Sequence, residues 1–192
     1  MRVSSGIHGT MTRRTNRRTF LSSAVALASA PIVLSAGSAG AAAQKSVSKL
    51  RFAVLSDGHF GQPDTDYTRF HDRMVAWLKN EQRGKGLDFV ILNGDLIHND
   101  PEFLPQVKTF YDRLEIPYFA VKGNHDMVSP SLWAKTWGYE ENHHFEKGDA
   151  AFLLGSTSNE KGDYLCADHA WLQKTLSKFA EKKWIFLFLH IS

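Results

Sequence analysis

Apolar residues fall into short continuous runs along the chain from about Lys49 onward, and several of these runs end at a polar residue. Runs of this length are typical of buried strands, and they predict strands at residues 50–55, 88–92, 117–121 and 184–189. Two further segments, 142–146 and 150–155, predict a hairpin. The chain is therefore expected to contain a sheet that is largely shielded from solvent.

Between these runs, apolar residues recur at the three- and four-residue spacing of helices. This spacing predicts one helix from about Tyr67, a second from Pro101, a short one at 131–137 and a fourth over 168–182. His71 is expected at the surface. The aromatic residues of the first two helices are expected in the core; they are Tyr67, Phe70, Trp77 and Phe110. Strands that alternate with helices predict an α/β fold.

The positive charge of the chain is concentrated at its N-terminus. The formal net charge is +3, from 23 Lys+Arg and 20 Asp+Glu, and residues 1–43 contain five arginines and no acidic residue. Subtracting these five leaves 18 basic against 20 acidic residues, a net charge of about −2 from residue 44 onward. A slightly acidic domain without a basic stripe does not favour nucleic-acid binding, so no nucleic-acid partner is expected.

The N-terminal segment has the pattern of an export signal. Asn16-Arg17-Arg18-Thr19-Phe20-Leu21 resembles the twin-arginine motif, and an Ala/Ser-rich apolar stretch and the small residues Ala41-Ala42-Ala43 follow it. A proline and a glycine interrupt the apolar stretch, which disfavours a stable membrane anchor. Residues 1–43 are therefore predicted to be a cleaved signal recognised by the twin-arginine translocation machinery. Residues 44–192 are predicted to form a periplasmic or secreted domain.

Polar residues that can bind metal ions follow each of the four strongest predicted strands. In α/β sheets, ligands bind at the carboxyl ends of the strands, so these residues are expected to lie together. The residues at the four strand ends are Asp57 and His59, Asp95, Asn124 and His125, and His190. The sequence therefore predicts a metal site at one edge of the sheet.

The motifs that contain these residues are those of a known family. Asp57-x-His59, Gly94-Asp95, Gly123-Asn124-His125-Asp126 and the strand-ending His190 resemble, in type and in order, the motifs of the calcineurin-like metallophosphoesterases. The resemblance implies a layered α/β/β/α sandwich over residues 44–192. It also implies metal-dependent hydrolysis of small-molecule phosphomonoesters or phosphodiesters, by a hydroxide that two metal ions activate.

The resemblance also implies which residues bind the two ions. Asp57 and His59 would bind the first ion, Asp95 would bridge both ions, and Asn124 and His190 would bind the second. Independently, a set of oxygen and nitrogen ligands without thiolate suits divalent ions such as Mn, Fe, Zn or Co. Two divalent metal ions are therefore the expected cofactors.

The catalytic residues that the resemblance implies are His125 and Asp126. His125 would be the general acid that protonates the leaving alkoxide. Asp126 would hold and charge the His125 imidazole, as carboxylates beside catalytic and metal-binding histidines do.

Two features depart from the family pattern. The sequence has no Gly-His-x-His motif after His190, so the chain is expected to be truncated and its sandwich incomplete at the C-terminus. The alternative to an active hydrolase is therefore an impaired or inactive relative that acts at most as a binding module. The other departure is His98, where relatives often carry Asp or Asn, and for which a solvated loop position is expected. The residues expected to lie outside catalysis are His143, His144, His169 and Cys166.

Overall fold

The apolar runs form two three-stranded sheets, which the computed structural model shows for residues 49–191. The predicted export signal lies outside these described residues. The first sheet is parallel and has the order β1-β2-β3, with strands Phe52–Leu55, Phe89–Asn93 and Tyr118–Val121. The second has the order β4-β5-β6, with strands His143–Lys147, Ala150–Gly155 and Trp184–Leu189. β4 and β5 form the predicted antiparallel hairpin, and β6 runs parallel to β5.

Four helices join these strands, and three of them begin at a side chain that caps their first turn. The helices are α1 (Tyr67–Lys85), α2 (Phe103–Tyr111), α3 (Pro130–Trp137) and α4 (His169–Lys178). The caps of α1, α3 and α4 are Asp66, Ser129 and Asp168, whose side-chain oxygens accept backbone N–H groups of the first turn. These bonds satisfy donors that a helix N-terminus otherwise leaves free. None of the helices within residues 49–191 is long and apolar enough to cross a membrane.

The two sheets pack face to face, with helices on both outer sides. Val90 and Leu92 of β2 face a cluster that contains side chains of α1, α2 and α3. The alternate β2 residue Ile91 faces the second sheet, where it packs with Phe152 of β5. On the other side of β5, Leu153 packs against α4. The predicted α/β/β/α sandwich is therefore confirmed, and it follows from strands whose alternate residues are apolar on both faces.

The buried face of α1 differs from the predicted one. Phe70 and Trp77 are 55% and 52% exposed, so the expectation that they lie in the core is wrong. The buried row of the helix contains Val75 and Leu78 instead. Aromatic residues dominate the apolar pattern of this helix, but the direction in which α1 docks on the sheet is set by the neighbouring row of side chains.

His71 belongs to this buried row, so its predicted surface position is also wrong. It is 3% exposed, and its Nδ1 lies 2.8 Å from the carbonyl oxygen of Tyr67, which accepts a hydrogen bond. Its ring packs edge-on against Phe60 at 5.1 Å. Burial lowers the pKa of His71, so the ring stays neutral within the core. Tyr67 and Phe110 pack against the same cluster, as predicted.

β6 has the predicted position but is not fully buried. Phe186 and Phe188 face the other sheet and pack into the interface. Ile185 and Leu187, on the opposite face, are 37% and 44% exposed. Within residues 49–191, β6 pairs only with β5, and α4 covers β5 but not these two side chains. An apolar run therefore predicts the strand but not how many of its faces are covered.

The layered packing predicts that alanine substitution of two leucines on adjacent strands lowers the free energy of unfolding by different amounts. Leu153 of β5 and Leu187 of β6 are register partners, but only Leu153 is fully buried. We expect Leu153→Ala to lower the free energy of unfolding by about 2–5 kcal/mol, because it leaves a cavity beneath α4. Leu187→Ala should cost no more than about 1 kcal/mol. Urea denaturation measures the free energy of unfolding of both variants. Equal losses of this free energy would contradict the finding that α4 covers Leu153 but not Leu187.

Candidate metal centre

The loops after β1, β2 and β3 are tied together at one edge of the first sheet. The backbone N–H of Asp57 donates to the carbonyl oxygen of Gly94 at 3.1 Å, and that of His59 donates to the carbonyl oxygen of Asp95 at 2.8 Å. The backbone N–H of His125 donates to Asp95 Oδ1 at 2.9 Å. The loop after β2 therefore fixes the positions of the loops on either side.

Four of the predicted metal ligands converge between these loops. His59 Nε2 lies 3.6 Å from Asp95 Oδ2 and 4.0 Å from Asp57 Oδ1. His190 Nε2 lies 3.2 Å from the same oxygen of Asp95 and 4.0 Å from the same oxygen of Asp57. Atoms that share one ion at about 2.0–2.2 Å are separated by distances of this size. The spacing therefore fits a metal ion, while the role of each residue as a ligand stays a prediction.

The ring of His190 is oriented by the strand that precedes Asp95. Its Nδ1 lies 2.7 Å from the carbonyl oxygen of Asn93, which accepts its proton, so Nε2 is the atom that faces the carboxylates. The hydrogen bond to Asp95 raises the pKa of His190 to about 9, although burial opposes this shift. At neutral pH the ring therefore carries a proton that a metal ion has to displace.

Asp95 is the most buried carboxylate of this group, with 3% of its surface exposed. Burial by itself would raise the pKa of Asp95, but hydrogen bonds from His190 and from the His125 backbone lower it below the ordinary value. Burial also lowers the pKa of His59. An ionised carboxylate beside a neutral imidazole is the combination that divalent transition ions bind.

Asn124 supplies a further sign that the residues fit a metal ion. Its side-chain Oδ1 is buried and has no hydrogen-bond partner among residues 49–191. A buried polar atom without a partner costs about 1–3 kcal/mol, so such atoms are rare unless a ligand completes them. An amide oxygen also belongs to the same ligand class as the carboxylates around it. The residues present therefore fit the implied metal ions.

The backbone at the site has conformations that side chains seldom allow. Asp57, His59 and Asp95 have φ values of 60°, 42° and 52°, in the left-handed region where residues other than glycine are uncommon. Gly94, with φ of 80°, leaves no room for a Cβ beside the His190 ring. A Cβ at Gly123 would overlap Asp95. Such strain often marks functional sites.

His125 is near the metal ligands, but its partner is not the predicted one. Its Nδ1 lies 2.7 Å from Asn99 Oδ1, which accepts its proton. Asp126 is fully buried and bonds to the backbone instead: its Oδ2 accepts the N–H of Gly123 at 2.8 Å and its Oδ1 accepts that of Ile97 at 2.9 Å. The expectation that Asp126 holds the His125 imidazole is therefore wrong.

Neighbouring positions in a motif explain this error. Asp126 follows His125 in sequence, but its side chain is directed away from the His125 imidazole and toward the backbone N–H groups of Gly123 and Ile97. Burial raises the pKa of Asp126 to about 7, and the two backbone N–H groups act against this shift. Asn99 was missed because an asparagine in a loop of polar residues is ordinary turn chemistry.

His98 also lies at the site rather than in a solvated loop, which corrects the expectation for it. Its Nδ1 is 3.3 Å from His59 Nδ1, and its ring stacks on that of His125 with 5.2 Å between the centroids. The nitrogen atoms of these three histidines lie within 4.8 Å of one another. The signal in the sequence was the position of His98, three residues after Asp95.

The other histidines and the cysteine have contacts of their own. His143 stacks on Tyr139 at 3.8 Å, and His144 Nε2 lies 2.9 Å from Lys178 Nζ. Cys166 is exposed and has no disulfide partner. Two groups of candidate metal ligands lie within residues 49–191: Asp57, Asp95 and His190, and His59, His98 and His125. None of the residues named in this paragraph before them belongs to either group.

Comparison with known proteins agrees with this geometry. The sequence model of the family described as calcineurin-like phosphoesterase matches residues 50–192. A probable glycerophosphodiester phosphodiesterase from Arcobacter nitrofigilis is 32% identical over 114 residues, which are 54% of this chain and 41% of that protein. The chain thus spans less than half the length of this curated relative.

The fold is also similar to that of a solved structure. A dimetal phosphatase from Danio rerio matches with a TM-score of 0.56 and 12% sequence identity, over 73% of this chain and 69% of that one. At this identity the likeness shows the fold alone, and it agrees with the layered sandwich described above.

The contacts of Asp126 predict that its removal affects stability. Asp126→Ala leaves the buried N–H groups of Gly123 and Ile97 without acceptors, at about 1–3 kcal/mol each. We expect the free energy of unfolding to fall by at least about 2 kcal/mol in urea denaturation. The exposed Asp149→Ala is the control, and it should stay within about 0.5 kcal/mol of the parent chain. A parent-like stability of Asp126→Ala would contradict this structural role.

Proposed function

The chain belongs to the calcineurin-like phosphoesterase family, and on this premise we propose that it hydrolyses phosphoesters of small molecules with two divalent metal ions. The observation that carries the proposal is the convergence of two carboxylates and two imidazoles from separate loops, with spacings of 3.2–4.0 Å. The unpartnered Oδ1 of Asn124 supports it. The sequence motifs that contain these residues also resemble those of the calcineurin-like phosphoesterases.

Five residues would hold the ions in this proposal. Asp57 and His59 would hold the first ion, Asp95 would contribute to both, and Asn124 and His190 would hold the second. Two bound divalent ions supply Lewis-acid stabilisation of the phosphoryl oxygens and a more acidic water as the nucleophile. Mn, Fe, Zn and Co all suit this ligand set.

His125 is proposed to act as the general acid. Its Nδ1 proton is donated to Asn99 Oδ1, so Nε2 is the nitrogen left to serve the substrate. For this role Nε2 must carry a proton as well: when the bond from phosphorus to the leaving oxygen breaks, the leaving alkoxide takes that Nε2 proton, and water supplies the new oxygen on phosphorus. Asn99 holds the ring in one orientation, which reduces the reorganisation that proton transfer requires.

The substrate is proposed to be a phosphodiester or a phosphomonoester of a small alcohol. The sequence relative named as a probable glycerophosphodiester phosphodiesterase supports the diester as the first substrate to test. The alternative is a metal-binding but inactive relative, and the following experiment separates it from this proposal.

The proposed function is tested by measuring metal binding and hydrolysis together. The full chain is purified, its Mn, Fe, Co and Zn contents are measured, and bis-p-nitrophenyl phosphate and p-nitrophenyl phosphate are assayed with added Mn. Bound metal and turnover of either ester are expected. Bound metal without turnover would support the inactive binding module, and neither metal nor turnover would overturn the proposal.

His125→Ala tests the proposed proton donor. We expect kcat to fall by about 10²–10⁴-fold, the usual loss for a general acid, while bound metal is unchanged. His169→Ala, at an exposed position at the start of α4, is the control and should keep parent activity. An unchanged kcat in His125→Ala, or a loss of bound metal equal to the loss of activity, would contradict the assigned role.

Residues 1–43 are proposed to direct export by the twin-arginine route, with residues 44–192 as the exported domain. The proposal is supported by the Arg17-Arg18 pair and by the small residues at 41–43. In a bacterium with this export system, replacing Arg17 and Arg18 together by lysine should retain the protein in the cytoplasm. Replacing Arg13 and Arg14 together by lysine is the matched control. Equal periplasmic amounts in both variants would argue against the signal.

A further inference from the structure

The ring of His98 makes contacts with two other histidines at the candidate metal centre, His59 and His125. Its Nδ1 lies 3.3 Å from His59 Nδ1, and its ring stacks on His125 with an interplanar angle of 11°. Two ring nitrogens at this distance share one hydrogen, because one must donate and the other accept. The contact therefore links the tautomer of one ring to the tautomer of the other.

The direction of this hydrogen bond follows from the other nitrogen of His59. His59 Nε2 faces Asp95 Oδ2 at 3.6 Å and Asp57 Oδ1 at 4.0 Å, which is where a metal ion fits. A nitrogen that binds a metal ion must present its lone pair, so the proton of a neutral His59 lies on Nδ1. The Nδ1–H of His59 then donates to His98 Nδ1.

We propose that His98 is a positioning residue of the metal centre: its Nδ1 accepts the Nδ1–H of His59 and so directs the lone pair of His59 Nε2 toward the metal ion. Metal-binding histidines usually donate their second nitrogen to a carboxylate, a carbonyl or water. Here a second imidazole takes that place. This inference rests on the proposed function, because it requires that metal ions bind at the site.

The backbone around His98 holds the ring in place for this contact. The N–H of His98 donates to the carbonyl oxygen of Phe60 at 3.0 Å, and the N–H of Asn99 donates to that of His125 at 3.0 Å. The segment is thus attached to the loop after β1 on one side and to the loop after β3 on the other. His98 is half-buried between them, so its ring has little freedom to turn away.

Two substitutions test the hydrogen-bond acceptor of His98 and its aromatic ring separately. In His98→Asn, the side-chain Oδ1 occupies the position of the histidine Nδ1, so the acceptor is kept while the ring is lost. In His98→Phe, the ring that stacks on His125 is kept, but the acceptor is lost. His98→Ala removes both and serves as a second variant without an acceptor.

The test is a calorimetric titration of the metal-free full chain with Mn and with Co, together with the absorption spectrum of bound Co. We expect His98→Phe and His98→Ala to bind the ion at the His59 site about 10–100-fold more weakly, the usual loss when such a partner is removed. His98→Asn should stay within about threefold of the parent affinity and should keep the parent Co spectrum. Thermal unfolding without metal checks that all variants fold.

Each other result decides against the inference. Parent affinity in both His98→Phe and His98→Ala, or an equal loss in His98→Asn, would show that the acceptor atom does not position His59. One bound ion fewer in all three variants would show that His98 is itself a metal ligand, which also overturns the proposal. A parent chain that binds no metal would refute the proposed function, and this inference with it.

Discussion

The buried carboxylate of Asp95 is the group on which the arrangement of the site depends. The carboxylate oxygen Oδ1 accepts the backbone N–H of His125, and Oδ2 contacts the ring of His190. The backbone carbonyl oxygen of Asp95 accepts the N–H of His59. Loops from three other strands are thereby tied to the loop after β2, the central strand of the first sheet. The hydrogen bonds that lower the pKa of Asp95 keep a negative charge at the point where these loops meet.

A second constraint acts on the imidazoles. The Nδ1 atoms of His190, His125 and His59 each have a partner: a backbone carbonyl for the first, an amide oxygen for the second and another imidazole for the third. Each ring is thus held through one nitrogen, and the other is left for a metal ion or a substrate. Chemistry at such a site depends on groups oriented before the substrate binds, because reorientation would add to the barrier.

Much of the fold could be predicted from the sequence, because its strongest feature is the contrast between apolar strands and polar strand ends. The predicted strands at 150–155 and 184–189 have the observed limits, and the other four differ by one or two residues at their ends. Prediction failed where burial depends on what lies next to an element. Trp77 of α1 and Leu187 of β6 are apolar but exposed, because within residues 49–191 no other layer covers them.

The sequence by itself determined the α/β class and the grouping of Asp57, His59, Asp95 and His190 at strand ends, because period and strand ends are local properties of the chain. The layered sandwich was implied by the resemblance of the motifs to a known family. Tertiary structure alone decided which atoms meet. Asp126, beside His125 in sequence, bonds to the backbone, while Asn99 and His98 reach the rings of His125 and His59 from another strand's loop. The direction of a side chain depends on backbone angles and on contacts between distant segments, and these arise only when the sheets pack and bring the loops together.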